Sequence, residues 1–573
     1  MTTRQGVVDP AQIASGTSSP QTAVERWTTI LLLAASCLLT WHFLTAAFDS
    51  VLGTFEDDSF YYLTVARNIA TGHGSTFDGI HPTNGYHPLW CALLVPLAGF
   101  FKASPEATVR AVAVLCVWLR FVAAWLVLRL TVRAFTNTTV AAVAAFVYLV
   151  AANGFSTNGM EEALQMLALL LLLTVVAGNA FERGTSRDGL IRGVLVAFVV
   201  LSRLDMVLFA GIYFLLRAVA VWRAKISFRQ VASEAATFTV LLAGYLGWNA
   251  AHFDTVMPIS GMLKSSFPHI ALPSYFWIYA TPGHRLLVLH AIVVAVFLTV
   301  AGRVTFIASL TGWKDRGAVD ALRLWAWSMM AFLGYQLVFV KWGNALSWYY
   351  QPFALLGAVG VAQWLQSGTR LLQVVPVVRH AARPALAVAA AFTILVAAGA
   401  LVKRHRTAGE DFHIASYHAA EWVASHTPPD TIMAMKDSGA FGFFSNRHVI
   451  NLDGVVNDRD FQRALIDQGI TAYLTREHVA LLAQHSLRRS SEAVREGHYG
   501  VFPLEYRAML FDRPGGALQL HCTDEIYRLP WTSAEYGQNV FVIWRVDPAT
   551  EVGRADAPLD RGCASGSDQP VEP

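Results

Sequence analysis

From residue 27 to about residue 402 the chain is a series of long apolar runs separated by short polar stretches, and then the runs stop. The apolar segments fall at 27–48, 109–130, 138–152, 163–180, 190–203, 206–222, 234–251, 285–301, 322–341, 349–366 and 384–402. An α-helix needs about 20 such residues to cross the hydrocarbon core of a bilayer. The pattern therefore predicts a polytopic α-helical membrane protein with about eleven transmembrane helices. Segment 138–152 is short for a span, and 190–222 reads as two helices or one broken hairpin. The run 86–101 opens on His87-Pro88 and sits at the lower length limit, so it is predicted to be re-entrant or to lie along the membrane surface. The first segment is too long for the apolar core of a cleaved signal and reads as a retained signal anchor.

Beyond residue 403 charged and polar residues return. Residues 430–435 and 448–452 read as strands, with a Gly-rich turn, DSGAFGFF, between them. Residues 415–426 read as a helix and 539–546 as a late strand. The expected organisation is a disordered N-terminus (1–25), a membrane module (26–402), a C-terminal α/β domain (403–547) and a disordered tail (548–573).

Basic residues set the orientation. With the N-terminus inside, successive inner connections carry Arg129 and Arg133; Arg183, Arg187 and Arg192; Arg223, Lys225 and Arg229; Arg303, Lys314, Arg316 and Arg323; and Arg370, Arg379 and Arg383. Every inner loop is basic, as the positive-inside rule requires, and making 86–101 a span would invert the pattern. The expectation is a multi-pass protein of the plasma (inner) membrane, with a cytoplasmic N-terminus and an extracytoplasmic C-terminal domain. Composition agrees: 54% of the 573 residues are hydrophobic and 14% charged, against about 25% charged in soluble domains. A net charge of +3 with no basic patch argues against nucleic acid. Cys37, Cys91 and Cys116 lie in apolar stretches as small hydrophobes. Cys522 and Cys563 lie in the outer part, where spacing leaves a disulfide open.

This topology gathers the unusual polar residues on the outer side. The first outer loop carries Glu56, Asp57 and Asp58, then an aromatic and apolar stretch predicted as an amphipathic helix at the membrane surface. Three adjacent acids repel, so one carboxyl has a raised pKa or a cation sits among them. A carboxylate there is able to act as general base towards a hydroxyl. The same loop supplies Tyr61 and His87. The second carries Glu161 and Glu162, the third Arg203 and Asp205, the fourth Lys264 within PISGMLK, and the fifth Tyr349. A cation at this depth suits a lipid phosphate, so Lys264 and Arg203 are the candidates for a donor phosphate. Asp57 and Asp58 are the candidates for chemistry. Glu56, Tyr61, His87, Glu161, Glu162, Asp205 and Tyr349 are candidate substrate contacts. Each has a plainer reading alone: a solvated acidic loop, a snorkelling lysine, a hairpin ion pair, a helix cap or an aromatic belt. Their joint placement on one face is the informative feature.

These residues resemble the C-type glycosyltransferase superfamily (GT-C), membrane enzymes that use polyprenyl-phosphate-linked sugars. The resemblance spans nearly the whole chain. It rests on Asp57-Asp58 within EDDSFYYLTVARNIATGHGSTFDG, on PISGMLK, and on DSGAFGFFSNRHVINLDG in the C-terminal domain. It is closest to bacterial mannosyl- and arabinofuranosyl-transferases, some of which share a double Asp and a Pro-x-x-x-x-x-Lys loop. The resemblance implies an inverting transfer to an extracytoplasmic cell-envelope glycan, lipid or protein, with Asp57 or Asp58 as base and Lys264 and Arg203 facing the leaving phosphate. Some relatives hold a divalent cation at these acids, which would make Asp57, Asp58 and Glu162 candidate ligands for Mg or Mn. No cofactor is otherwise expected. Two other readings stand beside it. A transporter or lipid flippase would need polar residues and broken helices at the bilayer midplane. A scaffold or receptor would work through the outer domain alone.

Overall fold

The computed structural model describes residues 20–154, 158–180, 185–301, 311–340, 347–374, 412–467, 469–485, 501–508, 511–519, 524–533 and 537–547. Ten of the eleven apolar segments fall on helices: α1 (Pro20–Thr45), α4 (Pro105–Ala134), α5 (Thr138–Gly154), α6 (Glu162–Val175), α7 (Ser186–Ser202), α8 (Val207–Trp222), α9 (Phe228–Phe253), α11 (Pro282–Val300), α12 (Arg316–Phe339) and α13 (Ala354–Val374). The eleventh segment, 384–402, lies outside the described residues, as do residues 1–19 and the predicted tail. Among the described residues, four helices are long and apolar enough to cross a membrane: Thr22–Thr45, Pro105–Ala134, Leu204–Trp222 and Pro282–Val300.

Local chemistry sets several boundaries. Ser104 accepts from the Ala107 amide ahead of Pro105, and Thr185 with Asp188 forms a capping box on α7. The bundle packs on small and branched side chains from α4 to α8 and from α11 to α13. The bundle also buries charge. Arg192, Arg217 and Glu234 are fully buried together, with Nε of Arg192 2.7 Å and Nη2 of Arg217 2.6 Å from Glu234 Oε1. Arg192, expected in a basic inner loop, instead faces inward because Glu234 on α9 neutralises it.

Beyond a short turn of helix at Phe48–Leu52, two helices lie between α1 and α4. Helix α2 (Asp57–Thr71) carries the acids, and α3 (Pro88–Phe100) follows it. At 13 residues, α3 reaches only about 20 Å and falls short of a ~30 Å span. Helix α2 is the stretch read from the sequence as an amphipathic helix, and other elements of the chain cover it. Asp57 and the run from Ser59 to Ala66 are buried, because α2 is covered by α3 on one side and by the outer domain on another. It stops at Gly72, whose φ of +89° accepts the left-handed turn that a side chain resists.

The C-terminal α/β domain, called the outer domain after the side on which the sequence predicts it, opens with α14 (Phe412–His426). Its sheet has the order β2-β1-β3-β7-β6, with β1 Ile432–Met435, β2 His448–Asn451, β3 Leu481–Gln484, β6 Glu525–Ser533 and β7 Gly537–Arg545. Strands β2, β1 and β3 run parallel, while β7 and β6 are antiparallel. A separate hairpin joins β4 (Val501–Ala508) to β5 (Phe511–Gln519). The predicted Gly-rich turn is instead a helix, α15 (Gly439–Ser445), which buries Phe441 and Phe443. Tertiary burial of those rings overrides the weak helix propensity of its glycines.

Candidate active site

The acid helix begins with two carboxylates that do different things. Asp57 turns towards the outer domain. Its Oδ2 accepts from the Gly439 amide at 2.7 Å and its Oδ1 from the Ala440 amide at 2.8 Å. Burial pushes its carboxyl well above the ordinary range, opposed by those two amides. One residue on, Asp58 turns into a cavity of about 570 Å³. Its Oδ2 lies 3.7 Å from Lys264 Nζ. Burial raises the Asp58 pKa, Lys264 pulls it down, and Asp437 and Glu161 raise it further.

Lys264 ends α10 (Ile259–Lys264), a short helix from the loop between α9 and α11. Its placement is over-determined. The Ile259 amide donates to Asn84 Oδ1 at 3.0 Å, and Gln462 of the outer domain donates to the Ile259 carbonyl at 3.2 Å. Burial works against the Lys264 charge, but Tyr349, Asp58 and Glu161 more than offset it and its pKa is raised.

Arg203 supplies a second cation from the turn between α7 and α8. Its Nε donates to Asp205 at 3.1 Å, its Nη1 lies 3.7 Å from Glu161 Oε1, and its guanidinium stacks 4.5 Å from the Tyr349 ring centre. Tyr62 donates to Glu161 Oε2 at 3.0 Å. His87 accepts from the Leu204 amide through Nδ1 at 3.3 Å, which leaves its proton on Nε2, 3.6 Å from Glu161 Oε1. Burial lowers the His87 pKa to about 3, so the ring stays neutral.

Asp58, Tyr61, His87, Glu161, Arg203, Asp205, Lys264 and Tyr349 thus line one cavity. Leu208, Met257, Phe267 and Phe339 add apolar surface to its wall. Three sequence candidates lie elsewhere. Glu56 precedes the acid helix and is not part of the cavity wall. Asp57 faces the outer domain. Glu162 is held 3.1 Å from Arg120 Nη2, and Arg120 also donates to Asn158 Oδ1 at 2.8 Å. That network seats the acid helix, since Ser59 donates to the Asn158 carbonyl at 2.8 Å.

The donor set does not fit a divalent cation. Mg and Ca sites gather several carboxylate or carbonyl oxygens around one point. Asp57 spends both oxygens on amides, Asp58 faces an ammonium, and Glu162 faces a guanidinium. Among the described residues no three His, Cys, Asp or Glu side chains converge as a metal site.

Sequence reasoning missed Tyr335, which donates to Ser265 at 2.8 Å and lines the cavity from α12. It also missed Tyr62, although the FYY triplet was its signal, and Gly439. The last two act through partners about a hundred or several hundred positions away.

The family described as a domain of unknown function, DUF8728, matches residues 405–529. No curated protein matches the sequence. Among solved structures, the chain is similar to the oligosaccharyltransferase AglB of Archaeoglobus fulgidus, determined with an inhibitory peptide and a dolichol-phosphate. The identity is 14% and the TM-score 0.50, over 84% of this chain and 73% of that one. It is also similar to ArnT of Cupriavidus metallidurans bound to undecaprenyl phosphate, at 11% identity and TM-score 0.53, over 90% and 97% of the two chains. Both are GT-C glycosyltransferases, and the likeness at these identities is one of fold.

Proposed function

We propose that this chain, which has the GT-C fold, transfers a sugar from a polyprenyl-phosphate-linked donor to a hydroxyl of an extracytoplasmic cell-envelope acceptor, with inversion at the anomeric carbon. One observation carries the reading. A half-buried carboxylate and a half-buried ammonium meet at 3.7 Å in a cavity that many apolar side chains also line. A lipid-linked sugar phosphate combines parts that such a lining suits: a hydroxylated head, an anionic link and an apolar tail.

In this reading Asp58 is the general base. The acceptor O–H gives its proton to the Asp58 carboxylate, the oxygen attacks the anomeric carbon, and the bond from that carbon to the phosphate oxygen breaks. The electron pair leaves with the polyprenyl phosphate. Lys264 and Arg203 then face the charge that develops on that phosphate, where a water-poor site strengthens their effect. Tyr349 lies under the guanidinium and keeps its plane fixed. The neutral His87, with its proton on Nε2, is a hydrogen-bond donor that does not compete for the base. The dolichol-phosphate and undecaprenyl phosphate bound in the two structural relatives support a lipid-phosphate donor.

The test is glycan mass spectrometry on the cell envelope of a deletion strain. One sugar or glycan should disappear, and return with the wild-type chain but not with Asp58→Asn. Full restoration by Asp58→Asn would overturn the assignment of the base, and an unchanged glycan profile in the deletion strain would overturn the function.

A further inference from the structure

The two adjacent acids share a motif but not an environment, and the outer domain is the reason. We propose that Asp57 is a positioning residue: it bolts the outer domain onto the acid helix and thereby fixes Asp58 in the cavity. This rests on the reading of Asp58 as base given above.

Both Asp57 oxygens are spent on consecutive backbone amides of the outer domain, at 2.7 and 2.8 Å. The residue is 6% exposed, and it does not line the cavity that Asp58 enters. Charge-assisted bonds to two amides at once fix direction as well as distance. The partner surface is shaped for this contact. An ideal Cβ on Gly439 would stand 2.0 Å from the Asp57 carbonyl oxygen, so only glycine lets the two backbones meet. Around the bolt, Arg67 of the acid helix donates to the Phe443 carbonyl at 2.7 Å, and Asn451 donates to the Tyr61 hydroxyl at 3.1 Å. The same domain reaches the other half of the site through Gln462, which holds the start of the Lys264 helix. Docking the outer domain therefore registers the base and the phosphate-facing cation against each other. The groups that face Asp58 are Lys264 from α10, Glu161 from the second loop and Asp437 from the outer domain. If the domain lifts, Asp58 loses its cover and the Asp437 charge together.

The experiment compares Asp57→Ala, Gly439→Ala and Asp58→Asn in the full-length protein in lipid nanodiscs and in membranes. Hydrogen exchange across residues 436–445 reads docking. The pH profile of sugar transfer in membranes reads the state of Asp58. Asp57→Ala and Gly439→Ala should both speed exchange there by about tenfold or more, the equivalent of one tenfold step in an opening equilibrium. Both should leave residual transfer whose acid limb moves down towards an ordinary aspartate, a shift that simple loss of folded protein does not produce. Asp58→Asn should leave exchange unchanged. Native exchange in Asp57→Ala, or an unmoved acid limb in both docking variants, overturns the inference. Full transfer by Asp58→Asn would overturn the function assigned to Asp58, and the exchange data would still decide the role of Asp57 in docking.

Discussion

At the scale of single residues, the site is a lesson in how neighbours in sequence separate in chemistry. Asp57 and Asp58 share a backbone but face opposite ways, one towards amides and one towards an ammonium. The pH dependence of transfer follows from Asp58. A general base works only when ionised, so the rate is lost as pH falls through its pKa. Burial, with Asp437 and Glu161, raises that value, and Lys264 only partly offsets the rise. The acid limb of transfer in membranes should therefore lie above the ordinary aspartate range near about 3.9. Initial rates across the acidic range check this, and a limb at the ordinary value would remove Asp58 from the role of base. His87 should leave no inflection near neutrality, since burial holds it uncharged down to about pH 3.

At the scale of elements, the first outer loop is pinned to the outer domain a second time. His81 Nδ1 lies 2.6 Å from Asp78 Oδ2, and its Nε2 lies 3.2 Å from Glu477 Oε2 in the outer domain. Burial lowers the His81 pKa, but the hydrogen bond and charge of Asp78, with Asp458 and Glu477, outweigh it and raise it to about 9. The sign follows from linkage. A histidine whose folded pKa is raised gives its stabilisation in full below its free value, near about 6.5, and loses it as pH climbs through the folded value. Docking of loop 78–81 should weaken between about pH 6.5 and 9. Protection factors of that loop, hydrogen-exchange rates corrected for the intrinsic rise with pH, should fall across the interval in the wild type and stay level with pH in His81→Ala. These pins also explain what was legible in advance. Apolar runs located ten helices because long apolar helices are written locally in the sequence. The helix Gly439–Ser445 read as a turn because its reason for being helical, burial of Phe441 and Phe443 and an acid at its N-terminus, lies outside it. Glu162 read as a metal candidate because Arg120, 42 positions away, is invisible to local pattern.

At the scale of the whole molecule, three loops distant in sequence meet at one mouth: the acid helix after α1, the turn after α7 with Arg203, and the loop after α9 with Lys264. The charge pattern makes this meeting arguable from sequence, because basic residues at 129–133, 183–192 and 223–229 predict that the opposite ends of the helices face inside. Buried Arg192 shows that not every residue in those stretches is a loop charge, yet the exposed ones still carry the bias. The orientation itself is testable in a chain whose native cysteines are replaced by alanine. Single cysteines at Thr71, at the end of the acid helix, and at Ser425, on the outer domain, occupy exposed positions, as does one at Lys225 between α8 and α9. A membrane-impermeant maleimide applied to intact cells should label Thr71→Cys and Ser425→Cys, and should reach Lys225→Cys only after the membrane is opened. Labelling of Thr71→Cys and Lys225→Cys from the same side would separate the acid helix from the face that a lipid-linked donor occupies once it has been flipped outwards. A shared outer face for Thr71 and Ser425 is the condition under which a domain beyond the bilayer is able to close over a site at headgroup depth.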